Sequence, residues 1–393
     1  MGLLLIRLKG EKMEQIPECL SSDFISKEAV YAGVADAVPD LLKAAECIAN
    51  NSEFCRNFKE LMHELQAPVL EMGFDNWPFP ADMPVELRDL AVCLAAVGIT
   101  PRGREFYRAK GLPEDITETT LKRLTVVNGF HREITGRHGM YPASLAWQRN
   151  HFRDPLIYSL GRFNYRIIAP LGLGVLLKRR SDGKRLMLAG DSWKIDRENL
   201  RTIGDGEVVF TTTLSEEKGS WTGFPVTPYG KVLNQQITCP AEEFEVLLQP
   251  GEKMLDLHIP GGGGMTPERC IDSFRKAFAF FETYYPEDFK KVIYSSSWIF
   301  NPAFEKRLPD CNMAKFMRET WLFPQPSTGA DGYYFLFGTK TPDIANAPRD
   351  TTLRRTMLDI LESGEKLRQG GMFLLKEDLP YWGTQRNRQL SII

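Results

Sequence analysis

Four consecutive glycines, Gly261 to Gly264, stand between an alternating apolar run and the residues Thr266-Pro267-Glu268. That order of residue types suits the binding of an anion. Glycines take every Cβ out of the turn. Thr266 is a good N-cap, Pro267 fits the first helical position, and Glu268 complements the helix dipole. A helix is therefore predicted from about Pro267, and the unpaired N–H groups at its start attract a phosphate or pyrophosphate. The plainer alternative is a loop whose glycines serve only a tight turn. Two familiar phosphate motifs are excluded: no Lys-Ser/Thr pair follows the glycines, and Thr266 stands where a dinucleotide fold needs a third glycine.

The elements that must position this loop can be read from the residues around it. In Met254 to Ile259, Leu255, Leu257 and Ile259 alternate with Asp256 and His258, which predicts a strand with one buried face and Asp256 and His258 together on the other. After the loop, Ile271, Phe274, Phe278 and Phe281 recur at helical spacing, so the helix runs to about Tyr285. Lys291 to Trp298 reads as the next strand, and Asn301-Pro302 starts a short helix in the same capped manner. Tyr333 to Phe337 reads as an aromatic strand, Thr352 to Gly364 as a helix, and Gly370 to Leu375 as the strand that closes the sheet.

The first half reads differently. Ser26 is expected to cap one helix, and Ser52 to Gln66 carries Phe54, Phe58, Leu61 and Leu65 on one face. Leu87 to Val97 is apolar apart from Arg88 and Asp89 and is predicted to be buried. Asp115 to His138 is predicted as one long helical stretch that Gly129 and Gly136 interrupt. From Leu156 the text becomes strand-like: Leu156 to Ile168, then Leu173 to Lys178 and Arg185 to Ala189 around the Asp182-Gly183 turn, then Val208 to Leu214. Gly219 to Asn234, with Trp221 and Tyr229, reads as a lid-like aromatic loop. The expected fold class is α+β, with a helical domain over 1–150, a mixed β-sheet domain flanked by helices over 151–393, and the boundary at about 135 to 155.

Composition narrows the function classes. Over 393 residues, Lys and Arg total 49 against 51 Asp and Glu, which leaves no field for nucleic acid. The longest apolar runs fall short of the roughly 20 residues of a membrane span. Met1 to Leu8 is apolar but is followed by the charged Lys9 to Glu14 without a cleavage site, so no secretory signal is expected and the protein is expected in the cytoplasm. The seven cysteines show no C-x-x-C spacing, and among the five histidines no pair has H-x-x-x-H spacing. No metal is expected.

Three stretches, Leu160-Gly-Arg-Phe-Asn-Tyr165, Leu257-His-Ile-Pro-Gly-Gly-Gly-Gly-Met-Thr-Pro-Glu268 and Ser295-Ser-Ser-Trp-Ile-Phe-Asn-Pro302, resemble a family of bacterial two-domain proteins. That family has a helical N-acyltransferase N-terminal domain and a GNAT-like acyltransferase C-terminal domain. The resemblance implies an acyl-CoA co-substrate, acetyl-CoA or another, whose pyrophosphate lies on Gly261, Gly262, Gly263, Gly264, Met265 and Thr266, with Ile259 and Ser296 completing the pocket. Pro260 stands where that fold usually has Arg or Gln. The strand at Tyr294 to Trp298 is expected to splay from its neighbour and leave a slot for pantetheine.

The acceptor is expected to be an amine of a small molecule or peptide. Asp256 or His258 is then the candidate base, and Tyr294, Ser296 or Ser297 the candidate acid or acceptor contact. Cys270, near the helix start, is either a thiol activated by the N-terminus or a buried one. Tyr333 and Tyr334 are read as packing. Trp221 and Tyr229 are expected to line the acceptor site, with the cleft between the two halves as its entrance. The alternative function is a non-catalytic binding or regulatory protein that keeps the fold.

Overall fold

A computed structural model describes residues 17–153 and 156–393. The signal-peptide reading at Met1 to Leu8, and the part of the expected boundary at residues 154 and 155, lie outside the described residues. The chain divides into two compact units. One holds the residues up to Ser159 together with Pro260–Gly262, and the other holds Leu160–Ile259 and Gly263–Ile393.

Among the described residues the first unit holds eight α-helices: α1 (Ser22–Ala32), α2 (Val38–Asn50), α3 (Ser52–Gln66), α4 (Val85–Gly98), α5 (Thr100–Ala109), α6 (Glu114–Leu121), α7 (Leu124–Thr135) and α8 (Ser144–Phe152). The apolar Ala91 to Val97 of α4 are all buried, because α1, α2 and α3 pack around that helix. The cap of α1 is Ser21, whose hydroxyl accepts from Phe24 N at 3.4 Å, and Ser26 lies inside the helix. The long predicted stretch breaks at Lys122–Arg123 rather than at Gly129. There Thr125 Oγ1 donates to Gly33 O (2.7 Å), tying the start of α7 to the end of α1, so a tertiary contact overrides local propensity. Gly136 ends α7 with φ +74.

The second unit is entered through β1 (Tyr158–Leu160) and continues with β2 (Phe163–Ile168), β3 (Val175–Arg179), β4 (Arg185–Leu188), β5 (Lys194–Ile195), β6 (Phe210–Thr211), β7 (Ser215–Glu217), β8 (Ser220–Gly223), β9 (Pro225–Val226), β10 (Ile237–Cys239), β11 (Phe244–Leu248) and β12 (Met254–His258). It ends with α9 (Pro267–Tyr284), β13 (Val292–Ser297), α10 (Pro302–Arg307), α11 (Asn312–Arg318), β14 (Trp321–Pro324), α12 (Tyr333–Phe337), α13 (Thr352–Glu362), β15 (Gly370–Leu375) and α14 (Arg386–Gln389). The main sheet has the order β1-β2-β12-β13-β15-β14, and a second sheet has the order β11-β3-β4-β9.

Register assigns the two faces of the main sheet. Arg166, Asp256, Tyr294, Phe373 and Trp321 lie across from one another on neighbouring strands and share one face. Toward that face the second sheet contributes Leu176 and Met187, and the two layers meet in a core with Trp193, Trp321 and Phe373. The opposite face is covered by α9: Phe163 stacks on Phe274 (centroids 5.7 Å apart), and Ser273 Oγ hydrogen-bonds Tyr165 Oη at 2.9 Å. Strand β12 is therefore buried on both sides, from Met254 to Leu257, and not on one face as its alternation predicts.

Four further expectations change. Gly219 to Asn234 contains β8 and β9 and is not a lid loop. Val208 to Leu214 contributes only the two residues of β6. Tyr333 to Phe337 is one helical turn, because Gly332 (φ +99) and Gly338 (φ +70) close it at both ends with a left-handed backbone that glycine adopts readily. Strand β15 lies inside the sheet, between β13 and β14. Among the described residues no helix is long and apolar enough to cross a membrane, and no group of three His, Cys, Asp or Glu is placed to hold a metal.

Candidate functional site

The glycine loop leaves β12 and enters α9. Gly262, Gly263 and Gly264 have φ of +77, +74 and +64, a run that side-chain-bearing residues rarely adopt. At Gly262 and Gly264 a Cβ would meet nothing within 4 Å, so the backbone conformation, not lack of space, calls for glycine there. All four glycines are exposed. Thr266 occupies the N-cap position with an extended backbone, but its side chain makes no capping bond, so the predicted cap holds only through its carbonyl, which accepts from Cys270 N at 3.1 Å.

Two arginines flank the loop. Arg162 Nε donates to Gly264 O, and the Arg269 guanidinium lies where a Cβ on Gly263 would be 3.1 Å from Nη2. Burial, with Arg269 adding to it, lowers the pKa of Arg162. Exposed glycines, the N-terminus of an 18-residue helix and two guanidiniums form a cradle suited to a phosphate or pyrophosphate. Met265 is buried at its edge, and Ile259 is half-buried. Cys270 is fully buried, and burial pushes its thiol up to about 12, so the activated-thiol reading fails: desolvation outweighs the helix N-terminus.

Asp256 and His258 are bonded to each other, Nε2 to Oδ2 at 2.7 Å. Across the antiparallel ladder Arg166 Nε donates to the same Oδ2 at 2.8 Å. Asp256 is thus a buried anion held between a guanidinium and an imidazole, and the His258 side chain remains 28% exposed. Strands β12 and β13 are parallel, connected by α9, and their ladder pairs Leu255 with Ile293 and Asp256 with Tyr294 and goes no further. Beyond it Ser295 Oγ donates to Leu257 O (2.7 Å). The backbone ladder between the two strands therefore ends short of their C-terminal ends, next to the glycine loop and the Asp256–His258 pair, and a side-chain bond takes its place.

Tyr294 neighbours Asp256 on this face, and its hydroxyl accepts from Gln325 Nε2 at 3.0 Å. Burial and the Asp256 charge push its phenol up to about 12, which keeps it protonated and able to donate. Ser296 Oγ accepts from Gln369 Nε2 at 2.8 Å. Ser297 Oγ accepts from Ile299 N (3.4 Å) and caps the single turn that follows β13, a structural duty.

The remaining candidates lie elsewhere. Trp221, on β8, packs with Val175, Leu177, Leu186 and Leu188, whereas the alternate residues Leu176 and Met187 face the main sheet. It therefore covers the far side of the second sheet. Tyr229 bridges to Leu322 on β14, with the Arg388 guanidinium 4.4 Å from its ring centroid. Since β14 is three strands from β12, the separation is about 15 Å. Neither lies beside His258. The Tyr333 phenol is shifted up by burial and its ring is half-buried among Met357 and Leu336, so it packs, as does Tyr334 against Phe335 (5.7 Å).

Residue reading alone missed Arg162, Arg166, Arg269 and Gln325. Arg162 lies inside the first quoted stretch and Arg269 follows Glu268, so excess positive charge near the glycines was the available signal for those two. Arg166 and Gln325 depend on register and leave no local signal.

Two packed sheets, a parallel pair whose ladder ends early and a glycine-rich crossover suited to an anion stand together at this site. Residues 30–153 match the N-acyltransferase N-terminal domain and residues 157–374 match the GNAT-like C-terminal domain. The chain belongs to this two-domain family. Among solved structures it is similar to an acyltransferase in complex with decanoyl-CoA, at 18% identity over 88% of this chain and 85% of that one, with a TM-score of 0.54. It is also similar to an acyltransferase in complex with decanoyl-CoA and teicoplanin, at 19% identity over 86% of each chain, with a TM-score of 0.52. At such identities the likeness is one of fold. No curated protein matches the chain.

Proposed function

We propose that the protein transfers an acyl group from an acyl-CoA thioester to an amine of a small molecule or peptide, in the cytoplasm. The observation that carries this reading is the meeting of three features at one end of β12: the glycine loop flanked by two arginines, the early end of the β12–β13 ladder, and the Asp256–His258 pair. The cradle suits a pyrophosphate, and the early end of the ladder suits an extended amide-bearing arm whose polar groups pair with strand backbone. The solved acyltransferases of similar fold hold decanoyl-CoA, so a long-chain donor stands beside acetyl-CoA as a candidate.

In this reading His258, with Nε2 fixed by Asp256, takes the proton from the acceptor amine through Nδ1 as nitrogen attacks the thioester carbonyl. Arg166 holds Asp256 as the anion that orients the ring. Tyr294, kept neutral by burial, donates to the departing thiolate sulfur as the C–S bond breaks, and its proton is restored from His258 or from water. The amide bond formed and the thiol released balance the proton moved. Thr266, Met265 and the amides of Gly261 to Gly264 position the phosphate end, with Ile259 and Ser296 along the arm.

The test is thermal denaturation with CoA, acetyl-CoA and decanoyl-CoA. A ligand at a hundred times its Kd stabilises the folded state by about 2.7 kcal/mol. Stabilisation is expected for the wild type and not for a Gly262→Val, Gly263→Val double variant, in which two left-handed positions become strained. Absence of any shift at millimolar ligand sinks the proposal. A shift without thiol release from any amine tested favours the non-catalytic alternative.

A further inference from the structure

Among the described residues Arg201 is a cation without a counter-ion. It follows β5, where it bridges to Ile195, and its guanidinium lies over the ring of the fully buried Trp193, with Cζ 4.3 Å from the ring centroid. The indole is itself fixed, since its Nε1 donates to Gly172 O at 2.9 Å. Every acidic residue between positions 196 and 207 is engaged by another cation: Asp196 and Glu198 by Arg368, Asp205 by Lys194, and Glu207 by Lys366. Among the described residues no carboxylate pairs with Arg201. A guanidinium stacked on an indole keeps its N–H edge for a planar anion, and a carboxylate accepts two parallel bonds from that edge.

Its position relates it to the reaction face. Tyr294 interacts electrostatically with Asp256 and with Arg201, and Trp193 and Tyr294 belong to the same core cluster. Asp256 is already neutralised by Arg166, which leaves Arg201 as unbalanced positive charge beside Tyr294. Burial lowers its pKa only to about 10, so it stays charged at neutral pH.

We propose that Arg201 binds a carboxylate carried by one of the two substrates, and so selects for it. This rests on the acyltransferase reading above. The carboxylate belongs either to the acceptor, as in an amino acid or a peptide with a free C-terminus, or to a dicarboxylic acyl group. A charged two-point hydrogen bond of this kind is worth a factor of about 10 to 100 in binding.

The experiment uses the full chain with two probe pairs: a pool of dipeptides against the same pool with C-terminal amides, and succinyl-CoA against acetyl-CoA. Thermal stabilisation gives binding, and thiol release gives turnover. The expected result is a preference of tenfold or more for the carboxylate member of one pair, lost in Arg201→Gln and partly kept in Arg201→Lys. A preference in the dipeptide pair assigns the carboxylate to the acceptor, and one in the CoA pair assigns it to the acyl group. Because the contact with Trp193 is itself structural, Arg201→Gln is expected to lower the midpoint of unfolding, but the ratio between acid and amide is unaffected by such a change. Equal responses within both pairs, including no response, overturn the proposal, as does an unchanged ratio in Arg201→Gln. Bound dipeptide acids without CoA binding would leave Arg201's role standing and sink the acyltransferase reading. Turnover without a carboxylate preference would do the reverse.

Discussion

Each unit of the protein contains a hydrogen-bonded aspartate–histidine pair, and the two sit in different surroundings. In the helical unit, His131 on α7 is 0% exposed, with Nε2 3.1 Å from Asp89 Oδ2 and Nδ1 3.0 Å from Arg137 O. Gly139 packs so closely that a Cβ there would be 2.8 Å from Asp89 Cβ and 2.9 Å from His131 Cε1. This pair is a latch that holds residues 137–140 onto α4 and α7. In the sheet unit, the His258 side chain is 28% exposed, its aspartate is clamped from behind by Arg166, and an exposed glycine loop begins three residues on. The pairing is the same chemistry in both. Access and surroundings suit the first pair to holding the fold and the second to the reaction proposed above.

Breaking both histidines separates the two roles, and this is the largest expected effect. His258→Ala should lower the rate of thiol release by about a thousandfold, the usual range for loss of a general base, with an unfolding midpoint within a few degrees of the wild type. His131→Ala should do the opposite: it leaves a buried carboxylate short of a partner and costs about 2 to 3 kcal/mol, while the rate per folded molecule is unchanged. Steady-state rates and thermal melts of both variants check this. A His258→Ala protein that keeps a tenth of its rate removes the catalytic reading of that pair.

Sharpening the comparison further means altering what stands behind His258. Asp256→Asn keeps the shape but removes the charge that orients the ring, and kcat should fall by about 100-fold. Arg166→Gln, one bond further away, should cost about tenfold. In both variants KM for the acyl-CoA should stay near the wild-type value, since the phosphate cradle is untouched. A rise in KM with unchanged kcat would show instead that the two residues shape the donor site.

Local signals made one part of this site readable and hid the other. The glycine loop was legible because its conformation is written in consecutive residues: four glycines, then a capping threonine position, a proline and a glutamate, all within one turn of α9. Asp256 and His258 were legible through the period of two in β12. Their partner was not, because Arg166 lies 90 positions away and meets Asp256 only through the register of β2 with β12. Trp221 and Tyr229 were hard to place for the same reason: an aromatic stretch does not say which face of which sheet it will cover. Tyr333 to Phe337 looked like a strand by composition, yet two left-handed glycines make it a helical turn. The helical unit followed its apolar spacing closely, and departed from it where Thr125 reaches Gly33 across 92 positions.

One thiol from each unit makes a further comparison, and here the smallest effect is expected. Cys47 on α2 is exposed, while Cys270 at the start of α9 is buried and has its thiol pushed up from 9.0 to about 12 by desolvation. Alkylation proceeds through the thiolate, so its rate follows the fraction ionised and the access of reagent. Iodoacetamide at pH 8 should modify Cys47 in the folded protein and leave Cys270 untouched until denaturant is added, as peptide mass mapping would read. The sign for stability follows: with the folded value above the unfolded one, the neutral thiol's contribution is complete below pH 9 and is lost as the pH rises toward 12. A Cys270→Ala variant should therefore lose less stability than the wild type over that window. Rapid native labelling of Cys270 would mean that the helix N-terminus outweighs burial there, and would return the thiol to the list of reactive groups beside the glycine loop.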